Sequence, residues 1–358
     1  MFKTVVSTAL ATFASADINA EFSCLLHGEC EWTQDQIEPL WNAFVEEYEE
    51  LSPVDLNTSE AFVNFFVKVD KIIEHNSNPE STYEKGINMY SAMTFEQLSE
   101  HFNFEANQAN AEQNCSATRS SPLTAAGADS APDSYDWRNH GGVSPVKDQG
   151  SCGSCWTFST VGCLESAHLI KYGTLATYAE QQLVDCAGDF DNFGCNGGLP
   201  SHAFEYINYN GGIASEEAYP YYAVDRTCTV QSSDYILSVG HAMNITEGDE
   251  NELKQAVYQQ PVSVAFQVVD GFSDYTSGVY TSDTCLNGTS DVNHAVLAVG
   301  YGTDADSGMD YWIVKNSWSA EWGDEGFFLI ERGVNMCGIA ECNSYPASVD
   351  EISNGLLQ

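Results

Sequence analysis

Residues 149–156 read QGSCGSCW, which puts Cys155 at the head of a periodic apolar stretch with the amide side chain of Gln149 six residues upstream. A cysteine attacks a carbonyl only as its thiolate, and the unpaired N–H groups and dipole of a helix N-terminus stabilise that anion. Phe158, Val161, Leu164, Ala167 and Leu169 recur at helical spacing and Gly173 supplies a stop, so the pattern predicts a helix over 156–172 that Cys155 opens. A tetrahedral oxyanion needs two preorganised donors, and the Gln149 amide with the Cys155 N–H can supply them. The competing chemistry is a C-x-x-C redox pair of Cys152 with Cys155, for which the chain lacks the accompanying βαβ pattern.

A nucleophilic thiol needs a base, and the base needs an orienting partner. Two strand-like runs offer both: VNHAVLAVGYG from Val292, with His294 at its start, and YWIVKNSW from Tyr311, with Asn316 near its end. His294 could take the Cys155 proton and return it to a leaving amine while the Asn316 amide holds the ring and Trp318 screens that hydrogen bond from water. Any one of the eight histidines alone reads as a surface or core residue; the joint arrangement carries the argument.

The C-G-[SA]-C-[WY] string at Cys152 to Trp156, with His294 and Asn316 far downstream, resembles the papain and cathepsin signature. From about Ala131 onward the resemblance covers nearly everything: APDSYDWRNHGGVSPVKDQ, GCNGGLP and NSWSAEWGDEGFFLIERG all match stretches of that family. It implies an α+β, two-lobed papain-like fold with a helical left domain, a β-barrel-like right domain and an N-terminal helical propeptide. It implies Cys155 as nucleophile, His294 as acid/base, Asn316 as orienter and Gln149 as oxyanion donor, with Gly197, Gly198 and Trp318 beside the substrate. Ser319 departs from the family, which has glycine after NSW.

The chain has 358 residues, enough for two or more domains, and 43% hydrophobic content, enough for a sizeable core. A net charge of −40, with 52 acidic against 12 basic residues, excludes nucleic acid and anionic membrane as partners on electrostatic grounds. Lys3, the apolar stretch from Val5 to Phe13 and Ala14-Ser15-Ala16 read as a signal peptide over 1–16, and no later run reaches membrane-spanning length. Secretory routing to a lysosome, an acidic vacuole or the exterior follows as the expectation.

WNAFVEEYEEL from Trp41 and EAFVNFFVKVDKIIEHN from Glu60 have helical character and resemble the inhibitory propeptide of the family, assigned to 17–110. Phe65, Ile72, His75 and Asn76 suit its long helix, but Asn57, Ala61 and Lys68 stand where Glu, Arg and Asn occur in the family. In GINMYSAM, Gly86 and Asn88 are kept, with Tyr90 for Phe and Ala92 for Asp.

Twelve cysteines in a secreted chain invite disulfides. The resemblance implies Cys152 with Cys195, Cys186 with Cys228, and Cys285 with Cys337; Cys24 and Cys30 can pair locally, and Cys163 reads as a packed free thiol. EQNCSAT, residues 112–118, resembles the mini-chain of cathepsin H-type peptidases, an excised fragment tethered to the mature domain. That likeness implies a Cys115–Cys342 bridge, a mini-chain over 111–118, an excised linker over 119–130 and a peptidase domain over 131–358. A carboxylate freed at Thr118 would pair with a substrate's amino terminus and exclude chains that continue upstream. N-x-[ST] sequons begin at Asn57, Asn114, Asn244 and Asn287.

Further helices are predicted over 180–186, 200–208 and 250–259, and strands over 262–269, 295–301, 311–315 and 327–331. No metal-ligand cluster or phosphate-binding loop competes, so no cofactor is expected. The reading is a monomeric cysteine peptidase precursor acting on peptides and proteins through a thioester, with its own propeptide as inhibitor and with aminopeptidase and some endopeptidase activity. A cathepsin-L-like endopeptidase and a non-catalytic papain-like glycoprotein are the alternatives.

Overall fold

A computed structural model describes residues 17–30, 33–105 and 131–352. The expected signal peptide, linker, Asn114, Cys115 and Thr118 lie outside them.

The 131–352 portion has two lobes. Helix α6, Cys155–Tyr172, is buried continuously from Cys155 to His168 and ends at Gly173, whose φ of 72° suits a residue without Cβ. The burial on all sides has a plain cause. Helices α7, Glu180–Cys186, and α8, Pro200–Asn210, cover one side of α6, and strands β6, Val262–Phe266, and β8, His294–Thr303, cover the other. Pro200 starts α8 at a position where its missing N–H costs nothing. Asp249 caps α9, Glu250–Gln259, by accepting from the N–H groups of Asn251 and Glu252.

The second lobe is built on a sheet in which β8 lies between β6 and β9, Asp310–Lys315, both antiparallel. The path continues through β10, Phe327–Glu331, to β7, Tyr275–Tyr280, and at the other end to β11, Ser344–Pro346, and β5, Ala242–Asn244. It keeps two ends, so the barrel-like sheet expected from the sequence is an open one. Strand β6 is buried throughout and β8 up to Gly302, and they read accordingly as mostly apolar runs, with Ser263 and His294 the polar side chains among the buried positions. A second sheet joins β3, Ile213–Ala214, β4, Tyr235–Val239, and β12, Val349–Glu351. Short β2, Tyr135–Asp136, pairs with β8.

The N-terminal segment is a helical unit: α1, Ile18–Glu21, α2, Ser23–Leu26, α3, Ile37–Tyr48, α4, Ser59–Asn76, and α5, Phe95–Phe102. Aromatic packing joins α3 to α4, with the rings of Phe44 and Phe65 stacked 4.3 Å apart and Trp41 edge-on to Phe65. Strand β1, Tyr83–Lys85, then pairs antiparallel with β7 and extends the sheet of the downstream lobe. Backbone ladder bonds thereby dock the N-terminal unit on an edge that would otherwise be open.

Candidate active site

Cys155 opens α6 from one lobe, and His294 opens β8 in the other. The Cys155 side chain is buried and its Sγ accepts from the Ala295 N–H at 3.5 Å. His294 Nε2 lies 2.8 Å from Asn316 Oδ1, an atom that only accepts, so Nε2 carries the proton and Nδ1 the lone pair. Nδ1 itself has no hydrogen-bond partner. Register brings these groups together: β8 and β9 pair Leu297 with Lys315, which leaves Asn316 just past the strand end and within reach of His294.

Gln149 is fully buried and held at both ends of its amide. Its Oε1 accepts from Ser317 Oγ at 2.6 Å, its Nε2 donates to the Cys152 carbonyl at 2.9 Å, and its backbone N–H donates to the Ser317 carbonyl. Tyr221 donates its hydroxyl to the Gln149 carbonyl at 2.7 Å and stands 2.6 Å from Ser154 Oγ. One phenol therefore ties together the two backbone segments that carry Gln149 and Cys155. Sequence patterning does not reveal Ser317 or Tyr221 in these roles, because a single hydroxyl on a loop leaves no periodic signal.

Trp318 is fully buried beside His294, with ring centroids 5.0 Å apart. Its other neighbour comes from the N-terminal unit: the Phe102 ring stacks on Trp318 at 4.5 Å and 9°, and Phe104 meets the His294 ring at 6.0 Å. Between them, Asn103 Nδ2 donates to the Cys195 carbonyl at 2.9 Å, and the Asn103 φ of 57° turns the chain there. This aromatic lid is also absent from the sequence reading, which assigns no role to HFNFE, residues 101–105.

Burial sets the protonation of the pair. Burial pushes the Cys155 thiol up to about 11 despite its backbone hydrogen bonds. It pulls the His294 imidazole down to about 4 against the pull of Asn316. The covered site is thus a neutral thiol beside a neutral imidazole.

Gly198 lines the cavity that Cys155 and His294 share, and a Cβ there would collide with the Trp156 ring at 2.7 Å. Gly197 turns at a φ of 100°. Cys342 lines the same cavity and is disulfide-bonded. The bridges Cys152–Cys195, Cys186–Cys228, Cys285–Cys337 and Cys24–Cys30 are all present, and Cys155 and Cys163 are buried, reduced thiols. Ser319 occupies a φ of 72°, which explains why glycine is the easier residue there. Of the sequons, Asn57 and Asn287 are exposed and Asn244 is half-buried in β5. Among the described residues there is no cluster of His, Cys, Asp and Glu able to hold a metal, and no helix long and apolar enough to cross a membrane.

A two-lobed α+β fold with a thiol facing an amide-oriented imidazole, covered by its own N-terminal segment, defines the class of cysteine peptidase precursors. Residues 131–347 match the family described as papain family cysteine protease. The chain is 54% identical over 265 residues to "Oryzain gamma chain" of Oryza sativa subsp. japonica, covering 74% of this chain and 71% of that protein. It is 51% identical over 278 residues to "Pro-cathepsin H" of Mus musculus, covering 77% and 80%. The solved structure of digestive procathepsin L 3 from Tenebrio molitor larval midgut superposes with a TM-score of 0.76 at 37% identity, over 87% of this chain and 99% of that one. The chain belongs to the papain family of cysteine proteases, and it is a cysteine peptidase precursor of the cathepsin H type.

Proposed function

We propose that Cys155 is the nucleophile, His294 the acid/base, Asn316 its orienter, and the Gln149 amide with the Cys155 N–H the oxyanion donors. The observation that carries this is the His294 Nε2–Asn316 contact, which leaves the Nδ1 lone pair unpartnered in a cavity shared with Cys155. Departure of the lid admits water, lowers the cost of charge on both groups and lets the proton pass from Sγ to Nδ1. The thiolate attacks the peptide carbonyl, the two donors take the oxyanion, and His294 returns its proton to the departing amine. Water, deprotonated by His294, then hydrolyses the thioester. Gly197 and Gly198 let the substrate backbone approach, and Trp318 keeps water from the His294–Asn316 bond.

The reading extends to the processing of the chain: a signal peptide over 1–16, an inhibitory propeptide over 17–110, a mini-chain over 111–118 tied through Cys115 to Cys342, an excised linker over 119–130 and a monomeric peptidase over 131–358. It enters the secretory pathway, with Asn57, Asn114, Asn244 and Asn287 as glycan acceptors, and works in a lysosome, acidic vacuole or outside the cell. Cys342 supports the tether, since its position in the wall of the cavity brings a linked peptide within reach of the amino-terminal end of a bound substrate. The product is an aminopeptidase with residual endopeptidase activity.

Activity on a free-amino single-residue amide against an N-blocked dipeptide amide tests the specificity. The free-amino substrate is expected to be preferred, and Cys115→Ser to move the preference toward the blocked one. A blocked substrate preferred by the parent enzyme would overturn the mini-chain reading, while full activity in Cys155→Ser would overturn the mechanism.

A further inference from the structure

Between residues 17 and 105 the only lysines or arginines are Lys68, Lys71 and Lys85. All three gather on one turn of the downstream lobe, residues 270–274. Lys68 Nζ lies 3.1 Å from Asp274 Oδ1, with both side chains almost wholly buried at 7% and 1% exposure. Lys71 Nζ lies 2.7 Å from Asp270 Oδ2 at a half-exposed rim. Lys85 Nζ fills the space over Gly271, where a Cβ would come within 2.6 Å of it. Backbone contacts fix the same turn, since Gly86 N–H donates to the Asp274 carbonyl and Asn88 Nδ2 to that of Ser273.

The chemistry of this contact differs from that of the helix motif the sequence resembles, in which an asparagine stands at the Lys68 position. A buried ion pair adds little net affinity over an apolar pair of the same shape, but removal of one partner leaves a buried charge uncompensated. Such a contact discriminates more than it binds. The chain as a whole is strongly acidic, so an N-terminal segment with a neutral or acidic side chain opposite Asp274 would leave that desolvated carboxylate with only the Ser273 hydroxyl at 3.1 Å and the more distant Lys85 charge to answer it.

We propose that the Asp270–Asp274 turn is a lysine-reading docking surface by which the mature domain accepts its own propeptide and rejects propeptides lacking a cation at the Lys68 position. The inference rests on residues 17–105 being the inhibitory propeptide. Lys68 and Asp274 set the selectivity, Lys71 and Asp270 add a solvent-screened rim pair, and Gly271 keeps room for Lys85.

The test uses the full chain and measures peptidase activity before processing and the rate of conversion to the short form. Lys68→Met and Asp274→Asn, made singly, are each expected to raise both by about a hundredfold, the effect of stranding one buried charge. The double variant, with both charges removed, is expected to return close to the parent, as is the swap Lys68→Asp with Asp274→Lys. Lys71→Ala should change the rates by less than about threefold, as a rim pair does. Variants processed to completion by an added protease report folding, because Lys68 leaves with the propeptide and the mature Lys68→Met enzyme must equal the parent. Single variants with parental latency, or a double variant equal to the product of the two singles, would overturn the docking surface while leaving the propeptide reading intact. A parent chain fully active before processing would overturn the propeptide reading itself.

Discussion

The N-terminal segment meets the peptidase lobes at two places built on opposite physical principles. Over Cys155 and His294 it presents Phe102, Asn103 and Phe104, a nearly charge-free lid whose packing on Trp318 excludes water. At the 270–274 turn it presents lysines, a strand edge and hydrogen bonds to backbone carbonyls. The lid adds to the burial of the His294 ring, and burial is what holds the thiol protonated and the imidazole neutral. The anchor controls which segment is held and leaves the protonation of Cys155 and His294 to that burial. Inhibition and recognition are therefore separable in this molecule.

The largest expected break in that division is Phe102→Ala. Phe102 is fully buried, and truncating such a ring costs about 3–5 kcal/mol. The unprocessed chain should then react with a thiol alkylator at Cys155 while the Lys68–Asp274 contact persists, and unchanged alkylation rates would show that the lid does not seal the site.

Acid should act on the same end. Burial holds His101 and His294 at the lid below the ordinary imidazole value in the closed form, His294 at about 4. Opening releases them toward about 6.5, so below that pH opening takes up protons; the closed form keeps its full advantage above about 6.5 and loses it as pH falls toward 4, by roughly 3 kcal/mol from His294 alone. At the anchor, burial raises the Asp270 carboxyl, but the Lys71 hydrogen bond and the lysine charges outweigh it and hold it below its usual value, so that pair survives the same window. Protease sensitivity of the Cys155→Ser chain against pH measures this, and His294→Ala should flatten the dependence. A profile flat between about pH 7 and pH 4 would contradict it.

Tyr221→Phe sharpens the comparison from the mature side. Loss of the hydroxyl that ties Gln149 to Ser154 should lower kcat about tenfold with KM little changed, as loss of an alignment felt in the transition state does. Latency of the unprocessed chain should not change, since neither the lid nor the anchor touches Tyr221 through that hydroxyl. Equal loss in kcat and rise in KM would make its role merely structural. The smallest effect is expected from Ser319→Gly, which relieves a left-handed residue beside Trp318 and should stabilise the mature enzyme by about 0.5–1 kcal/mol in thermal unfolding. No gain would mean that the Ser319 Oγ contact with the Glu321 N–H offsets the backbone cost.

Much of this was legible in the chain. The helix after Cys155, the helices 180–186 and 250–259 and the strand 327–331 follow from periodicity and end signals and recur with the same bounds or within a residue. Strands β7 and β4 escaped, because neither shows a long apolar run and each is defined by its partners, β7 by the N-terminal strand β1 and β4 by β12. The residue types and spacing of Cys155, His294, Asn316 and Gln149 determined the chemistry, since nucleophile, base, orienter and amide donor are properties of side chains and of the helix end that carries one of them. What only the tertiary structure decided is whether that chemistry is switched on: Phe102, Phe104 and the lysines opposite Asp270 and Asp274 are distant in sequence from what they touch, and both desolvation and the pairing of a buried charge depend on who the neighbours are.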